Sequence, residues 1–329
     1  MFLSIFNQPD FSNLSIVKTN QPYDVIGDIH GHADELHALL AKLGYENRKG
    51  THTHPEGRKV VFLGDYIDRG PQIREVLQTV RGMVDNGNAH AILGNHEVNA
   101  LWFHTIGPKG RPLRRHTDNR IKQHHATLDQ MGAGFRQWMP WLAGLPLFLD
   151  LGGFRVVHAA WHDEAVAELR EIGPLVGETL VKYGTEGTRA YKTIARILNG
   201  PEAKLADGKF HIAADAVPRT DIRVKWWIDL EGLNAREALF PDDPTIKPDP
   251  LRKIPDTKYT PGAPITFFGH YAVKAAKPTT ITPHLACLDY AIGKGGYLAA
   301  YRWDGEMELD DANFVTTNTN PVYRANPEK

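Results

Sequence analysis

Short apolar runs that stop at a polar residue dominate the pattern of this chain. Tyr23-Asp24-Val25-Ile26 leads into Gly27-Asp28-Ile29-His30-Gly31, and Val60-Val61-Phe62-Leu63 into Gly64-Asp65-Tyr66-Ile67-Asp68-Arg69-Gly70. Ala91-Ile92-Leu93 leads into Gly94-Asn95-His96-Glu97, Phe154-Arg155-Val156-Val157 into His158-Ala159-Ala160, and Ile265-Thr266-Phe267-Phe268 into Gly269-His270-Tyr271. Unbroken runs this short read as buried strands. Between the first three, Leu36, Leu39, Leu40 and Leu43, and then Ile73, Val76, Leu77, Val80 and Val84, fall at helical spacing. Gly44 stops the first helix, and Pro71 suits the opening turn of the second, over 72–86. This β-α-β-α-β order predicts parallel strands joined by right-handed crossovers.

Past Asn95 the pattern weakens. Glu97 to Phe103 continues as a short helix, and residues 145–151 and 154–160 read as a hairpin through Gly152-Gly153. Strands near 265–269, 285–290 and 297–303 close the fold, the last two joined by the turn Gly293-Lys294-Gly295-Gly296. Residues 45–58 read as a loop, and His32, His37, His52 and His54 as surface residues. Residues 161–262 hold helical stretches near 163–172 and 186–198, then Pro- and Asp-rich loops. The organisation expected is a core over 21–160 and 263–310, a cap or long insertion over 161–262, and tails over 1–20 and 311–329.

Composition narrows the chemistry. At 329 residues with a formal net charge of -1, the chain carries no global field that argues for nucleic acid or membrane as partner. The single Cys287 excludes an intramolecular disulfide framework and fits a reducing cytoplasm, the expected location. No apolar run approaches the ~20 residues of a membrane span. The serines are Ser4, Ser12 and Ser15, all near the N-terminus, so a serine nucleophile has almost no candidate. No Gly-rich phosphate loop ending in Gly-Lys-Ser/Thr is present. A hydrolase made from this chain would use water on a metal. One segment departs from the balanced charge. Residues 105–140 hold Lys109, Arg111, Arg114, Arg115, Arg120, Lys122 and Arg136 against Asp118 and Asp129, a local excess of +5. That segment is either a solvated helix face or a rim that attracts a phosphorylated substrate.

In open α/β folds ligands gather at the carboxyl ends of strands, and glycine lets backbone approach an ion there. Asp28, His30, Asp65, Asn95, His158 and His270 all stand at such ends. Oxygen and imidazole donors without thiolate suit a pair of divalent metal ions, manganese foremost, with iron, zinc, nickel or cobalt as alternatives. Asp65 is placed to bridge the two, Asp28 and His30 to hold one, and Asn95, His158 and His270 to hold the other. His96 follows Asn95 directly and so points elsewhere, free to protonate a leaving oxygen. Asp68 can fix its tautomer, and Arg69 offers a fork for phosphate oxygens. Singly, Asp28 reads as a helix cap and His158 or His270 as a core histidine. Five strand ends of one kind outweigh that reading.

At these residues the chain resembles the calcineurin-like metallophosphoesterases, in the branch that contains the Ser/Thr phosphoprotein phosphatases. The resemblance is close over 23–104 and resumes at Val157-His158-Ala159, Gly269-His270 and Leu288-Asp289 through Arg302. It implies an α/β fold in which two mixed sheets form a β-sandwich flanked by helices, with the metals at one end. It also implies the ligand assignments above, with Asn95 near the phosphate, and a second phosphate-binding arginine, for which Arg223 ahead of Lys225-Trp226-Trp227 is the candidate. Ala160 and Tyr271 stand where the family has Gly and Thr, and are expected to reshape the pocket rim. The activity implied is phosphomonoester hydrolysis by metal-bound hydroxide. The stretch from Tyr23 to Gly94 is similar as well to bacterial diadenosine tetraphosphatases and to the phosphatase domains of RNA-repair enzymes. The expected partner is thus a phosphoprotein, a nucleotide or a dinucleoside polyphosphate. A metal-stabilised binding protein without activity would have lost a ligand, Arg69 or His96, and none is missing.

Overall fold

The computed structural model describes residues 21–48, 50–212, 218–257 and 262–317. β1 (Tyr23–Ile26) and α1 (Ala33–Lys42) are followed by a hairpin of β2 (Glu46–Arg48) and β3 (Thr51–Thr53). β4 (Lys59–Phe62), α2 (Ile73–Asp85), β5 (Ala89–Ala91) and α3 (Asn95–His104) complete the first block. The hairpin corrects the reading of 45–58 as a loop. Neither of its three-residue strands has a buried residue, so no hydrophobic alternation could announce it.

Then come α4 (Asp118–Met131), α5 (Met139–Gly144), β6 (Phe148–Asp150), β7 (Phe154–Val157), α6 (Asp163–Ile172), α7 (Gly177–Gly184) and α8 (Arg189–Asn199). A run of short elements follows: β8 (Glu202–Leu205), β9 (His211–Ile212), β10 (Pro218–Arg219), β11 (Asp221–Arg223), α9 (Ala235–Ala238) and β12 (Leu251–Lys253). The chain closes with β13 (Ile265–Phe268), β14 (Leu285–Cys287), β15 (Asp289–Tyr290), β16 (Tyr297–Trp303) and β17 (Phe314–Thr316).

Two mixed sheets result. One has the order β15-β16-β1-β4-β5, with β17 added to β16, and the other the order β14-β13-β7-β6. β1, β4 and β5 run parallel, as the crossover pattern requires, and β16 joins β1 antiparallel. Successive strand side chains point to opposite faces, and β1, β7 and β13 are buried along their whole length because both faces are covered. Val25, Val61 and Tyr301 of the first sheet meet Phe154, Val156 and Phe267 of the second inside the sandwich. Their neighbours Ile26, Val60, Phe62 and Ala300 face the other way, into the cluster built by α1 and α2.

The segment 161–262 splits in two. Residues of α6, α7 and α8, among them Leu169, Leu180 and Ile194, belong to the main core. Beyond them, β11-β8-β12 forms a small sheet with its own cluster around Leu205, Ile222, Val224 and Leu239. Those strands are short and half exposed, and they replace part of the loop expected over this stretch. At the C-terminus, β17 pairs with β16, so residues 314–316 are sheet rather than tail. The tail readings of 1–20 and 318–329 fall outside the described residues. No described helix is long and apolar enough to cross a membrane.

Candidate metal centre

The turns after β1, β4, β5, β7 and β13 bring their polar residues together at one end of the sandwich. Among the described residues, seven non-glycine residues have positive φ, and His30, Asp65, Asp68, Arg69 and His270 are five of them. Left-handed backbone costs an L-residue energy, so such clustering marks a site that the surroundings impose. One buried carboxylate does much of the imposing. Glu97 accepts hydrogen bonds from the N–H groups of Asp65 (2.8 Å), Tyr66 (2.8 Å), Ile67 (3.2 Å) and Gly94 (3.0 Å). Two glycines permit the close approach: a Cβ on Gly94 would run into Asp65 Oδ1, and one on Gly269 into Asp28 Oδ1.

Asp65 is the shared member of two donor groups. His30, Asp65 and His96 form one, and Asp65, His158 and His270 the other. Asp65 lies 3.5 Å from His30 Nε2 through Oδ2 and 3.4 Å from His158 Nε2 through Oδ1. Asn95 Oδ1 is 2.9 Å from His158 Nε2 and 3.0 Å from His270 Nδ1. Adjacent donors bound at ~2.1 Å around one octahedral ion stand roughly 3 Å apart, so these separations suit a shared cation. The far nitrogens of two rings are anchored, His30 Nδ1 on the Ile67 carbonyl at 3.0 Å and His158 Nδ1 on the Leu63 carbonyl at 2.8 Å. That leaves their Nε2 atoms to point inward, as ligating imidazoles are usually held. His270 Nε2 is buried with no hydrogen-bond partner among the described residues.

Charge gives the same answer. Asp28 is buried, and burial together with the carboxylates of Asp289 and Asp65 pushes its carboxyl well above the usual range. Burial would also raise Asp65, but His158, His96 and His30 outweigh it and bring that group down to about 2. A knot of buried acids and inward imidazoles, with no thiolate, fits hard or borderline divalent cations.

Beside the centre, His96 Nδ1 donates to Asp68 Oδ2 at 2.6 Å, the pairing expected from sequence. Burial opposes protonation of His96, but the carboxylates of Asp65 and Asp68 outweigh it and raise its pKa from the ordinary histidine value. Arg69 Nη2 lies 3.4 Å from His96 Nε2. A cleft of about 940 Å³ opens from here, and its lining includes Arg69, Arg114, Arg120, Lys122, Arg223 and Lys294. A second cleft of about 490 Å³, edged by Trp161, Lys192, Arg196 and Trp226, reaches the same centre from another side. Asn95, Arg223 and His270 line both.

Every residue singled out for the site thus lies at this end of the sandwich, with one difference: His96 rather than Asp28 completes the donor group around His30. Three corrections and additions arise. Tyr271, expected at the pocket rim, is buried against Phe240 and Phe268 instead, while Ala160 does line the second cleft. The basic segment is not a solvated face throughout, because α4 turns His124 and Thr127 inward onto Asp68. Lys294, read only as part of a turn, lines the first cleft near Arg69, where burial and the Arg69 charge lower its pKa. Neither His124 nor Lys294 sits in a motif whose spacing could have found it.

Fold and donor set together define a phosphoester hydrolase of the metal-dependent kind. The family model for calcineurin-like phosphoesterases matches residues 22–270, and the chain belongs to that family, which uses a binuclear divalent metal centre. Among curated proteins it is similar to the asymmetrical bis(5'-nucleosyl)-tetraphosphatase PrpE of Halalkalibacterium halodurans, 47% identical over 87 residues, or 26% of this chain and 35% of that protein. The protein of the same name from Bacillus subtilis is 35% identical over 139 residues, or 42% of this chain and 57% of its own length. The chain therefore spans between about a third and three fifths of these two relatives. A protein serine/threonine phosphatase from Saccharomyces cerevisiae aligns over 90% of this chain and 79% of its own, with a TM-score of 0.47 and 15% identity.

Proposed function

We propose that this chain hydrolyses dinucleoside polyphosphates, cutting diadenosine tetraphosphate or an analogue at one phosphoanhydride bond. The observation that carries this reading is the meeting of two clefts at one centre, the larger lined by six cationic side chains. A phosphomonoester presents a single phosphoryl group and needs no second arm. A dinucleoside polyphosphate has two arms and a row of charge between them. The likeness to the tetraphosphatases named above supports the same choice.

In this reading Asp28 and His30 would hold one cation, Asn95, His158 and His270 would hold the other, and Asp65 would serve both. When bound, a pair of divalent ions supplies charge against the phosphoryl oxygens and lowers the pKa of water toward neutrality. The chain's own residues do the rest. Arg69 and Arg223 orient the phosphoryl group under attack, and Arg114, Arg120, Lys122 and Lys294 hold the phosphates of the departing arm. His96, held by Asp68, places a proton at Nε2 beside the leaving oxygen.

One observation favours a second reading, phosphomonoester hydrolysis on a protein or nucleotide. The buried His96–Asp68 pair serves a basic leaving group, whereas a polyphosphate leaves with little need of a proton. The two readings separate on charge. With Arg114, Arg120 and Lys122 all changed to Ala, kcat/KM on diadenosine tetraphosphate should fall roughly 10–100-fold, since one or more charge-assisted hydrogen bonds are lost. The loss on p-nitrophenyl phosphate should be smaller than about threefold. Equal losses, or a wild-type enzyme that prefers a phosphoserine peptide to the dinucleotide, would overturn the proposal in favour of the second reading.

A further inference from the structure

Asp68 serves two imidazoles. Its Oδ2 accepts from His96 Nδ1 at 2.6 Å, and its Oδ1 accepts from His124 Nδ1 at 2.8 Å and from the Thr127 hydroxyl at 2.5 Å. The Asp68 backbone N–H in turn donates to Thr127 Oγ1 at 3.1 Å. His124 and Thr127 are one turn apart on α4, both buried, and the same helix lines the larger cleft with Asn119, Arg120, Lys122 and Gln123. Behind His124, its Nε2 lies 3.1 Å from His104 Nε2 at the end of α3.

The protons can be placed. Burial alone would raise Asp68, but the hydrogen bonds from His124 and His96 and their charge hold it well below the usual carboxylate range. An ionised carboxylate only accepts, so both Nδ1 atoms facing it carry hydrogen. His104 is kept neutral, lowered to about 4 by burial and by the charges of His124, Arg136 and His116. A neutral His104 and an Nδ1-protonated His124 share a single proton between their Nε2 atoms. The ring of His124 therefore has one orientation that satisfies both ends, and it pins Asp68 from the side opposite His96.

We infer that His124 is a positioning residue for the proton donor: from the substrate-lining helix α4 it fixes the Asp68 carboxylate, and so the ring of His96, against the leaving oxygen. The basic segment thus supplies part of the acid's support as well as a wall of the cleft. This inference rests on His96 as the proton donor, but it does not depend on which phosphate compound is natural.

The test is a leaving-group series of aryl and alkyl phosphomonoesters, run on the metal-loaded enzyme with p-nitrophenyl phosphate as the good leaving group. His124→Leu should slow phenyl and alkyl phosphates by about 10-fold or more relative to p-nitrophenyl phosphate, the size of effect that loss of a supporting hydrogen bond on a site residue produces. His124→Asn places an N–H close to where Nδ1 lies and should recover most of that ratio. Should His124→Leu fail to fold, Thr127→Val removes the other donor to the same oxygen and should shift the ratio in the same direction by less. His96→Asn is the control. If His96→Asn slows all leaving groups equally, the donor reading itself fails. If His96→Asn shows the bias while His124→Leu lowers every substrate by one factor, or His124→Asn rescues nothing, His124 is structural only and the inference is overturned.

Discussion

The block from Tyr23 to His104 and the segment from 105 to 140 meet on one carboxylate, Asp68, yet they place their functional groups by opposite means. In the block, the backbone does the placing. Glu97 gathers four N–H groups, carbonyls of Ile67 and Leu63 hold imidazoles, and the left-handed turn after β4 aims Asp65, Asp68 and Arg69. In the segment, side chains reach across the fold: His124 to Asp68, Gln130 to the Gly70 carbonyl, Arg120 to Glu186. Backbone placement is rigid and tolerates little change in residue type. Side-chain placement is adjustable, which suits a wall that selects what enters. The chemistry should therefore fail outright when the block is altered, and the specificity should shift when the segment is.

The largest effect belongs to Asp65, the one residue common to both donor groups. Asp65→Asn keeps its size but removes the negative charge that the proposed pair of cations would share, so metal content and turnover should fall together. A loss of roughly 10³-fold or more in kcat/KM is expected, about 4 kcal/mol of transition-state stabilisation. Elemental analysis beside the kinetics checks it. Full metal occupancy with a near-normal rate would mean that the block does not work as described.

This contrast also explains what could be read from sequence. The strand ends were legible because a buried parallel strand is a continuous apolar run and the turn after it must be polar at fixed offsets. Gly64-Asp65 and Gly94-Asn95 carry both marks. The second sheet was partly legible for the same reason at β7 and β13. The hairpin at 46–53 and the sheet of β8, β11 and β12 were not, since strands of three or four residues are too short for a period to stand out. His124 was missed for another cause. Its partner Asp68 is 56 residues away, and a histidine among basic neighbours on a helix reads as solvated.

A residue between the two regimes gives the next prediction. Arg223 comes from the small sheet, far from the block in sequence, and still lines both clefts. Its charge, after burial, is the main cause that lowers His270. If it holds the phosphoryl group, Arg223→Ala should cost about 10²-fold in kcat/KM on every substrate, as loss of one fixed donor does. Metal content should stay whole. A change within about threefold, which is ~0.7 kcal/mol, would assign that task to another cation, with Lys294 the next in line.

The smallest expected effect tests whether the scaffold of the block can be altered without touching its chemistry. His90 is the middle residue of β5, between Ala89 and Ala91, and its ring faces Tyr23 on the neighbouring side of the sheet rather than the metal centre. Burial, assisted by Lys59, lowers its pKa from 6.5 to about 4. The unfolded chain therefore binds a proton at His90 over a range where the folded chain does not. Stability from this residue is fully present above about pH 6.5 and is lost as pH falls toward 4, because the slope follows the extra proton of the unfolded state. By pH 5 the loss amounts to about 2 kcal/mol on these pKa values. His90→Gln cannot take up that proton, so its melting temperature should fall less than the wild type's between pH 7.5 and pH 5, while kcat/KM at pH 7.5 stays the same. Parallel acid profiles for the two proteins would place the acid-sensitive charge elsewhere, His104 being the other described histidine lowered to about 4.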